Sequence, residues 1–342
     1  MKAIRIHRHG GPEVLQFEET GDPQPGAGEV LLEVRAAALN HLDLFVRRGM
    51  PGVKVPFPRI LGADAAGVVA GLGEGAAGVA VGDRVLINPG VSCGECEFCA
   101  GGEGSLCLVY RLFGEHCDGT YAQRLAVPAR NCFPIPAGLS FEEAAALPLV
   151  SLTAWRMLVT RAQVKAGEEV LIVGAGAGVG TAAIQIAKAC GARVIATAGS
   201  AAKLEKARAL GADVGINHAT DAFDQAIREL TGKRGVDVVV DYVGKETWQK
   251  SLRSLRRGGR LVTCGATTGF DPVEDLRHVF YRQISILGST MGSGREFRDM
   301  LRCVEQGKLR PVVDRVLPLE RAAEAHRVLE ARESFGKVVL SV

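Results

Sequence analysis

No run in the chain approaches the roughly 18 uninterrupted apolar residues needed to cross a bilayer, so no membrane span is expected. Aromatic residues are scarce at 5%, so a core must be built from Ala, Val, Leu and Ile, the usual material of a parallel sheet covered by helices. A charge excess is also missing. Forty-one Lys and Arg stand against 38 Asp and Glu, and no segment interleaves basic with aromatic residues, so a nucleic-acid partner is not implied. The first residues, MKAIRIHRHGGPE, lack the apolar stretch of a secretory signal. Nine cysteines, four of them crowded between positions 93 and 107, do not resemble an extracellular disulfide framework, and a reducing cytoplasm is the expected location.

What is present is length, glycine and periodicity. At about 150 residues per domain, 342 residues suggest two domains. From 168 to 290 short β-branched runs alternate with helical stretches: EVLIV, RVIATA, DVGIN, VDVVVDYV, RLVTCG and QISILG, separated by helices at 181–190, 201–210, 222–230 and 247–255. Six strands with crossover helices make an α/β fold with a doubly wound parallel sheet, a Rossmann arrangement. Residues 1 to about 150 carry short strands, VLLEVRAAAL and GVVAGLG among them, between Gly and Pro turns, and read as a β-rich domain. Two helical stretches, 296–305 and 319–332, precede an apolar terminal strand, KVVLSV, expected to return to the first domain.

Cys93, Cys96, Cys99 and Cys107 are separated by two, two and seven residues. Four thiolates on one loop can close a tetrahedron around zinc, and such a site, having no open position, stabilises structure without performing chemistry. An iron–sulfur cluster is the competing reading. The other cysteines are scattered and read as small core residues.

Directly after EVLIV comes Gly174-Ala175-Gly176-Ala177-Gly178-Val179-Gly180, then a helix. Small residues at a strand-to-helix turn admit a pyrophosphate to the helix N-terminus, which marks a dinucleotide site. The acidic residue that would bind the ribose 2′-hydroxyl of NAD is missing about 20 positions later. Ala198-Gly199-Ser200 stands there, leaving room for a 2′-phosphate that Ser200 and Lys203 can meet, so NADP is favoured over NAD.

The cysteine loop, the glycine turn and the domain order together resemble the medium-chain dehydrogenase/reductase superfamily over essentially the whole chain. Further likenesses are VGDRV at 81–85, DGTYAQ at 118–123, AALPLVSLTAW at 145–155 and LRRGGRLVTCGATTG at 255–269. The resemblance implies a GroES-like β-rich catalytic domain at 1–150 and 291–342, interrupted by the Rossmann domain at 151–290, with the active site in the cleft between. It also implies that Gly174 to Thr181 bind pyrophosphate and that Thr153 lies against the nicotinamide. His218 would sit near the adenosine, while Gly265, Ala266, Thr267, Gly288, Ser289 and Thr290 would border the nicotinamide ribose and carboxamide.

Zinc alcohol dehydrogenases of that superfamily hold a catalytic zinc at three positions that here read Asn40, Ala63 and Leu149. Ala and Leu offer no donor atom and neutral Asn replaces thiolate poorly, so no catalytic zinc is expected in the usual place. The Asn40-His41-Leu42-Asp43 segment instead resembles the quinone oxidoreductase branch, whose usual members lack the cysteine loop. The expected activity is hydride transfer from NADPH to an activated alkene or quinone, a small-molecule substrate. Asn40 is the leading donor to a developing enolate, and His41 is placed at the cofactor pyrophosphate by the resemblance. His116, Tyr110 and Cys117 are weaker candidates, and Asp43 reads as a buried acceptor, paired with Arg47. Two alternatives stand: a zinc-type alcohol dehydrogenase with a non-standard site around His41, Asp43 and Asp64, and a non-catalytic nucleotide-binding protein. A homo-oligomer, dimer or tetramer, is expected by default, with QISILG at the two-fold axis.

Overall fold

A computed structural model describes all residues from 1 to 342. The chain divides into two compact units, Met1–Leu149 with Gly292–Glu305 and Pro311–Val342, and Val150–Met291 with Gln306–Arg310. No helix is long and apolar enough to cross a membrane.

The first unit is built on a long central strand, Glu29–Ala38. Its first half alternates, so that Val30, Leu32 and Val34 enter a core with Val69, Val85, Ile87 and Leu125. In its last three residues, Ala36, Ala37 and Ala38, the alternation stops because both faces are covered. There the strand lies between Asp64–Leu72 and Lys337–Ser341, both antiparallel to it. The register pairs Ala38 with Asp64 on one side and with Val339 on the other. Asn40, Asp64 and Lys337, far apart in sequence, therefore reach the same end of three adjacent strands. The terminal strand thus returns to this unit, and it also pairs in parallel with Val313–Pro318. The second helical stretch expected from sequence is a single 3₁₀ turn, Leu319–Arg321, followed by a helix, Ala322–Glu330.

The second unit is a six-stranded, all-parallel sheet in the order Val214–Asn217, Arg193–Ala198, Glu169–Ile172, Val236–Val240, Leu255–Thr263, Ser285–Gly288. The first strand in sequence lies at the centre, where the winding reverses, which is where doubly wound sheets bind ligands. Each strand foreseen in this region is present. One is shorter than its apolar run suggests: VDVVVDYV stops at Val240 because Asp241, fully buried, accepts the amides of Val243 and Gly244 and the hydroxyls of Thr247 and Ser251. A buried carboxylate bonded to that many local donors turns the chain out of the sheet. The Ser285–Gly288 strand pairs only with Leu255–Thr263, so its outer edge is open.

Candidate functional site

The four cysteines converge on one point. All four Sγ atoms lie within 4.8 Å of one another. Cys93 and Cys107 are 3.5 Å apart, Cys96 and Cys99 3.5 Å, and Cys93 and Cys99 3.8 Å. A tetrahedron with arms of about 2.3 Å has edges of about 3.8 Å, so the thiols already stand at the corners that one zinc ion requires. A cluster of several irons would hold them farther apart. Backbone amides also point at sulfur, from Cys93 to Cys107 Sγ (3.2 Å) and from Cys96 to Cys93 Sγ (3.3 Å), which favours thiolate. The Cys96 thiol is pulled down to about 6 by the Leu108 and Cys99 amides.

In the second unit the glycine turn opens the helix Gly178–Ala189. The first helical amide to find a partner is that of Thr181, bonded to Ala177 O (2.9 Å), which leaves the amides of Gly178, Val179 and Gly180 directed out of the helix end. Gly180 cannot be larger: an added Cβ would lie 2.7 Å from Gly174 O and 2.5 Å from the Tyr242 hydroxyl. That hydroxyl donates to Gly174 O (2.6 Å), so Tyr242, which sequence reasoning missed, braces the turn from behind. Ser200 caps the helix Ala201–Ala209 by accepting from the Lys203 amide (3.3 Å). No acidic side chain stands at the end of the Arg193–Ala198 strand. His218 lies beside Gly199, and its Nδ1 is 3.1 Å from Thr197 Oγ1. Thr153 donates to Met291 Sδ (3.8 Å). Gly265, Ala266, Thr267, Ser289 and Thr290 follow the C-terminal ends of the fifth and sixth strands, and Gly288 closes the sixth. Ser289 Oγ is buried with no partner within the fold, a polar atom suited to a ligand amide. These features fit a nicotinamide dinucleotide.

In the first unit the strand register assembles a second polar centre. Lys337 Nζ donates to Asn40 Oδ1 (2.6 Å) and to Asp64 Oδ2 (3.0 Å). Asn40 Nδ2 donates to Asp64 Oδ2 (2.9 Å) and to Ala38 O (3.3 Å), and Asp64 Oδ1 accepts the Leu149 amide (2.8 Å). Asn40, Asp64 and Lys337 are 4%, 0% and 3% exposed, so this is a buried ion pair and not a surface contact. Both amide hydrogens of Asn40 are directed at protein acceptors; in this arrangement it holds Lys337 and Asp64 in place and has no hydrogen left for a substrate. Nothing in the local sequence around GKVVL marked Lys337. Only the pairing of strands 300 residues apart brings it here.

Asn40 also caps the helix His41–Arg48: its backbone amide donates to Asp43 Oδ2 (2.8 Å), completing a capping box. Asp43 accepts in addition from the Tyr121 hydroxyl (2.8 Å). The expected pairing of Asp43 with Arg47 is corrected: Arg47 turns the other way, to Glu330, His326 Nδ1 (2.9 Å) and Gly10 O (3.2 Å). Tyr121 reaches Asp43 past Gly62, whose φ is +94° and where a Cβ would lie 2.3 Å from the tyrosine ring. Burial pushes the Asp43 carboxyl up to about 6 against the pull of the Asn40 and Tyr121 donors. His41, first residue of that helix, is pushed down to about 4 by loss of solvent and by the charges of Lys337, Arg332 and Arg48, and is neutral near pH 7.

His41, Asp43 and Asp64 do not form a group of donor atoms placed to share one ion, and an ammonium already sits on Asp64, so a divalent ion there would meet a like charge. Of the weaker candidates, His116 Nδ1 accepts the Leu112 amide (3.2 Å), and Cys117 points at Leu112 O (3.7 Å) with its thiol pushed up by burial. Both are held locally.

The known proteins similar to this chain divide along the same lines. A family described as Alcohol dehydrogenase GroES-like domain matches residues 26–137, and one described as Zinc-binding dehydrogenase matches residues 178–306. The acryloyl-coenzyme A reductase of Metallosphaera sedula is 33% identical, with all of both chains covered. The quinone oxidoreductase of Rattus norvegicus is 32% identical, covering 99% of this chain and 97% of its own.

The chain belongs to the medium-chain dehydrogenase/reductase superfamily. A solved structure described as an NAD-dependent alcohol dehydrogenase is 52% identical over all of both chains, with a TM-score of 0.97. This medium-chain dehydrogenase/reductase is thus an oxidoreductase, with a GroES-like domain and a Rossmann sheet. Its relatives are named as an acryloyl-coenzyme A reductase, a quinone oxidoreductase and an alcohol dehydrogenase.

Proposed function

We propose that the protein reduces activated alkenes or quinones with NADPH, at a site that works without a metal, and carries one structural zinc on Cys93, Cys96, Cys99 and Cys107. The observation that carries the reading is the Asn40–Asp64–Lys337 centre: the positions that the resemblance assigns to a catalytic zinc are Asn40, Ala63 and Leu149, and the Lys337 ammonium is bonded to Asn40 and to Asp64. Without a Lewis acid, oxidation of a simple alcohol loses its largest electrostatic contribution, whereas a conjugated carbonyl accepts hydride at carbon more readily. The relatives named acryloyl-coenzyme A reductase and quinone oxidoreductase support the same reading.

A bound nicotinamide cofactor supplies the hydride. The amides of Gly178, Val179 and Gly180 hold its pyrophosphate, while Ser200 and Lys203 hold the 2′-phosphate that distinguishes NADPH. Thr153, Ser289 and their neighbours would orient the nicotinamide, and His218 would lie along the adenosine. The open edge at Ser285–Gly288, with Phe280 and Tyr281 exposed beside it, supports a homodimer joined strand to strand.

Metal content measured together with NADPH oxidation on an enone and a quinone tests this reading. One zinc per chain with turnover that survives mild chelation is expected; two zinc ions, or turnover on simple alcohols that chelation abolishes, would overturn it. Lys203→Ala should reduce the preference for NADPH over NADH about tenfold in kcat/KM, as expected for one charged contact to phosphate.

A further inference from the structure

Residues 270–288 are thinly held by their own chain. The helix Leu276–Arg282 buries none of its side chains. Phe270, Val273, Leu276, Phe280 and Tyr281 are 62–79% exposed, and Ile286, in the strand that follows, is 41% exposed. That strand, Ser285–Gly288, is four residues long and has one neighbour. A covered aromatic side chain buries about 150–250 Å², so these six side chains approach the ~800 Å² that each partner of a stable pair gives up. A monomer rarely leaves so large an apolar patch in water. The same stretch carries both signs of charge, Asp271, Glu274 and Asp275 against Arg277 and Arg282, which suits a second copy of itself better than a surface of one sign such as anionic lipid. A two-fold axis at the open edge supplies the antiparallel neighbour that the strand lacks.

This strand leads directly into the nicotinamide end of the proposed cofactor site. Gly288, its last residue, pairs with Thr263, and the next amide, of Ser289, donates to Thr263 O (2.9 Å). Arg161 Nε donates to Gly288 O (2.8 Å). Ser289 Oγ, buried without a partner, therefore stands where a four-residue edge strand puts it. The adenosine end, at Gly174–Gly180 and Ser200, follows strands three and four places away from that edge.

We propose that a second copy of the chain, seated on residues 270–288, holds the nicotinamide end of the dinucleotide site in its binding form, so that assembly and cofactor binding are linked. The inference rests on the reading of the protein as a nicotinamide-dependent homodimer. An edge strand with one neighbour opens locally at little cost, and a ligand that binds only the closed form loses affinity as the closed fraction falls. Pairing across the two-fold axis closes that equilibrium. Linkage makes the effect reciprocal: a cofactor that prefers the dimer tightens it by the same factor at each of two sites.

Phe280→Lys combined with Tyr281→Lys tests the link in the zinc-loaded protein, because both side chains are exposed in the single chain and neither is placed at the cofactor. Sedimentation equilibrium gives the assembly state. Fluorescence titration gives dissociation constants for NADPH and for 2′,5′-ADP, which lacks the nicotinamide end. The wild type is expected to be a dimer and the variant a monomer that binds NADPH about tenfold more weakly and 2′,5′-ADP equally well. Saturating NADPH should lower the wild-type dimer dissociation constant by about a hundredfold, roughly a factor of ten per site. A monomeric variant that binds NADPH as tightly as the wild-type dimer overturns the link and leaves the homodimer standing, and so does an equal loss for 2′,5′-ADP. A monomeric wild type, or a double variant that stays dimeric, overturns the seat of the second copy. If the double variant fails to fold, Leu276→Lys decides by the same readings. Because no turnover is measured, a protein inert toward enones and quinones overturns the reductase reading alone.

Discussion

The cysteine loop and the Asn40–Asp64–Lys337 centre are both small clusters of polar donors, yet they are made in opposite ways. The four thiols come from 15 consecutive residues and need only a loop that turns back on itself. The three polar side chains come from positions 40, 64 and 337 and meet only because three strands are paired in one register. The donors of the first all attract a cation. The second already contains its cation. A local site can therefore be emptied and refilled without disturbing the sheet, whereas the dispersed one cannot lose a member without leaving a charge unpaired in the core.

That contrast is open to direct attack, most severely at the loop. Removing zinc with a thiol-reactive mercurial, or replacing Cys93 by Ser, should cost local stability on the order of 10 kcal/mol, the scale of a structural zinc site. Proteolysis should then cut between 93 and 107 while the Rossmann unit still binds NADPH; loss of nucleotide binding at the same step would show that the loop is not local. Next in size, Asp64→Leu leaves the Lys337 ammonium without a counter-charge and should destabilise by about 3–5 kcal/mol in chemical denaturation. A change under 1 kcal/mol would mean that the pair is hydrated and the centre is not buried.

A smaller effect comes from two histidines with lowered pKa values. His326 is fully buried, pushed down to about 3 by loss of solvent and the Arg47 and Arg48 charges, and accepts from Arg47 through Nδ1. Because its folded value lies below the ordinary one, the unfolded chain takes up the proton first as pH falls. Stability is therefore full above about pH 6.5 and declines on acidification, by about 1.4 kcal/mol per pH unit for each such histidine. His41 adds to the decline down to about pH 4. Asp43 acts oppositely: its raised value makes the ionised form costly, so it favours the fold on the acid side of about pH 6. His326→Gln keeps an acceptor for Arg47 and should flatten the acid limb of a denaturation midpoint plotted against pH; an unchanged slope would place the titrating group elsewhere.

The same division governs what could be read from the chain. The cysteine spacing and the glycine turn are contiguous, and each suggests a ligand class because donor atoms and backbone freedom lie within one short segment. The six strands of the Rossmann unit were legible for a related reason: alternation of apolar runs and helices is a local record of a sheet whose strand order then follows from right-handed crossovers. Asn40 stood out in sequence as a candidate, but its partners did not. Asp43 reads from sequence as a buried acceptor paired with Arg47, whereas Tyr121, 78 residues away, takes that place across Gly62.

By itself, then, the sequence determined the superfamily and the GroES-like and Rossmann architecture, and it marked the four-cysteine loop and the glycine turn, because each is written in neighbouring residues. The tertiary structure decided that Lys337 lies on Asn40 and Asp64. Strand register, a property of hydrogen bonding between segments up to 300 residues apart, sets which side chains share the end of a sheet, and no local pattern encodes it.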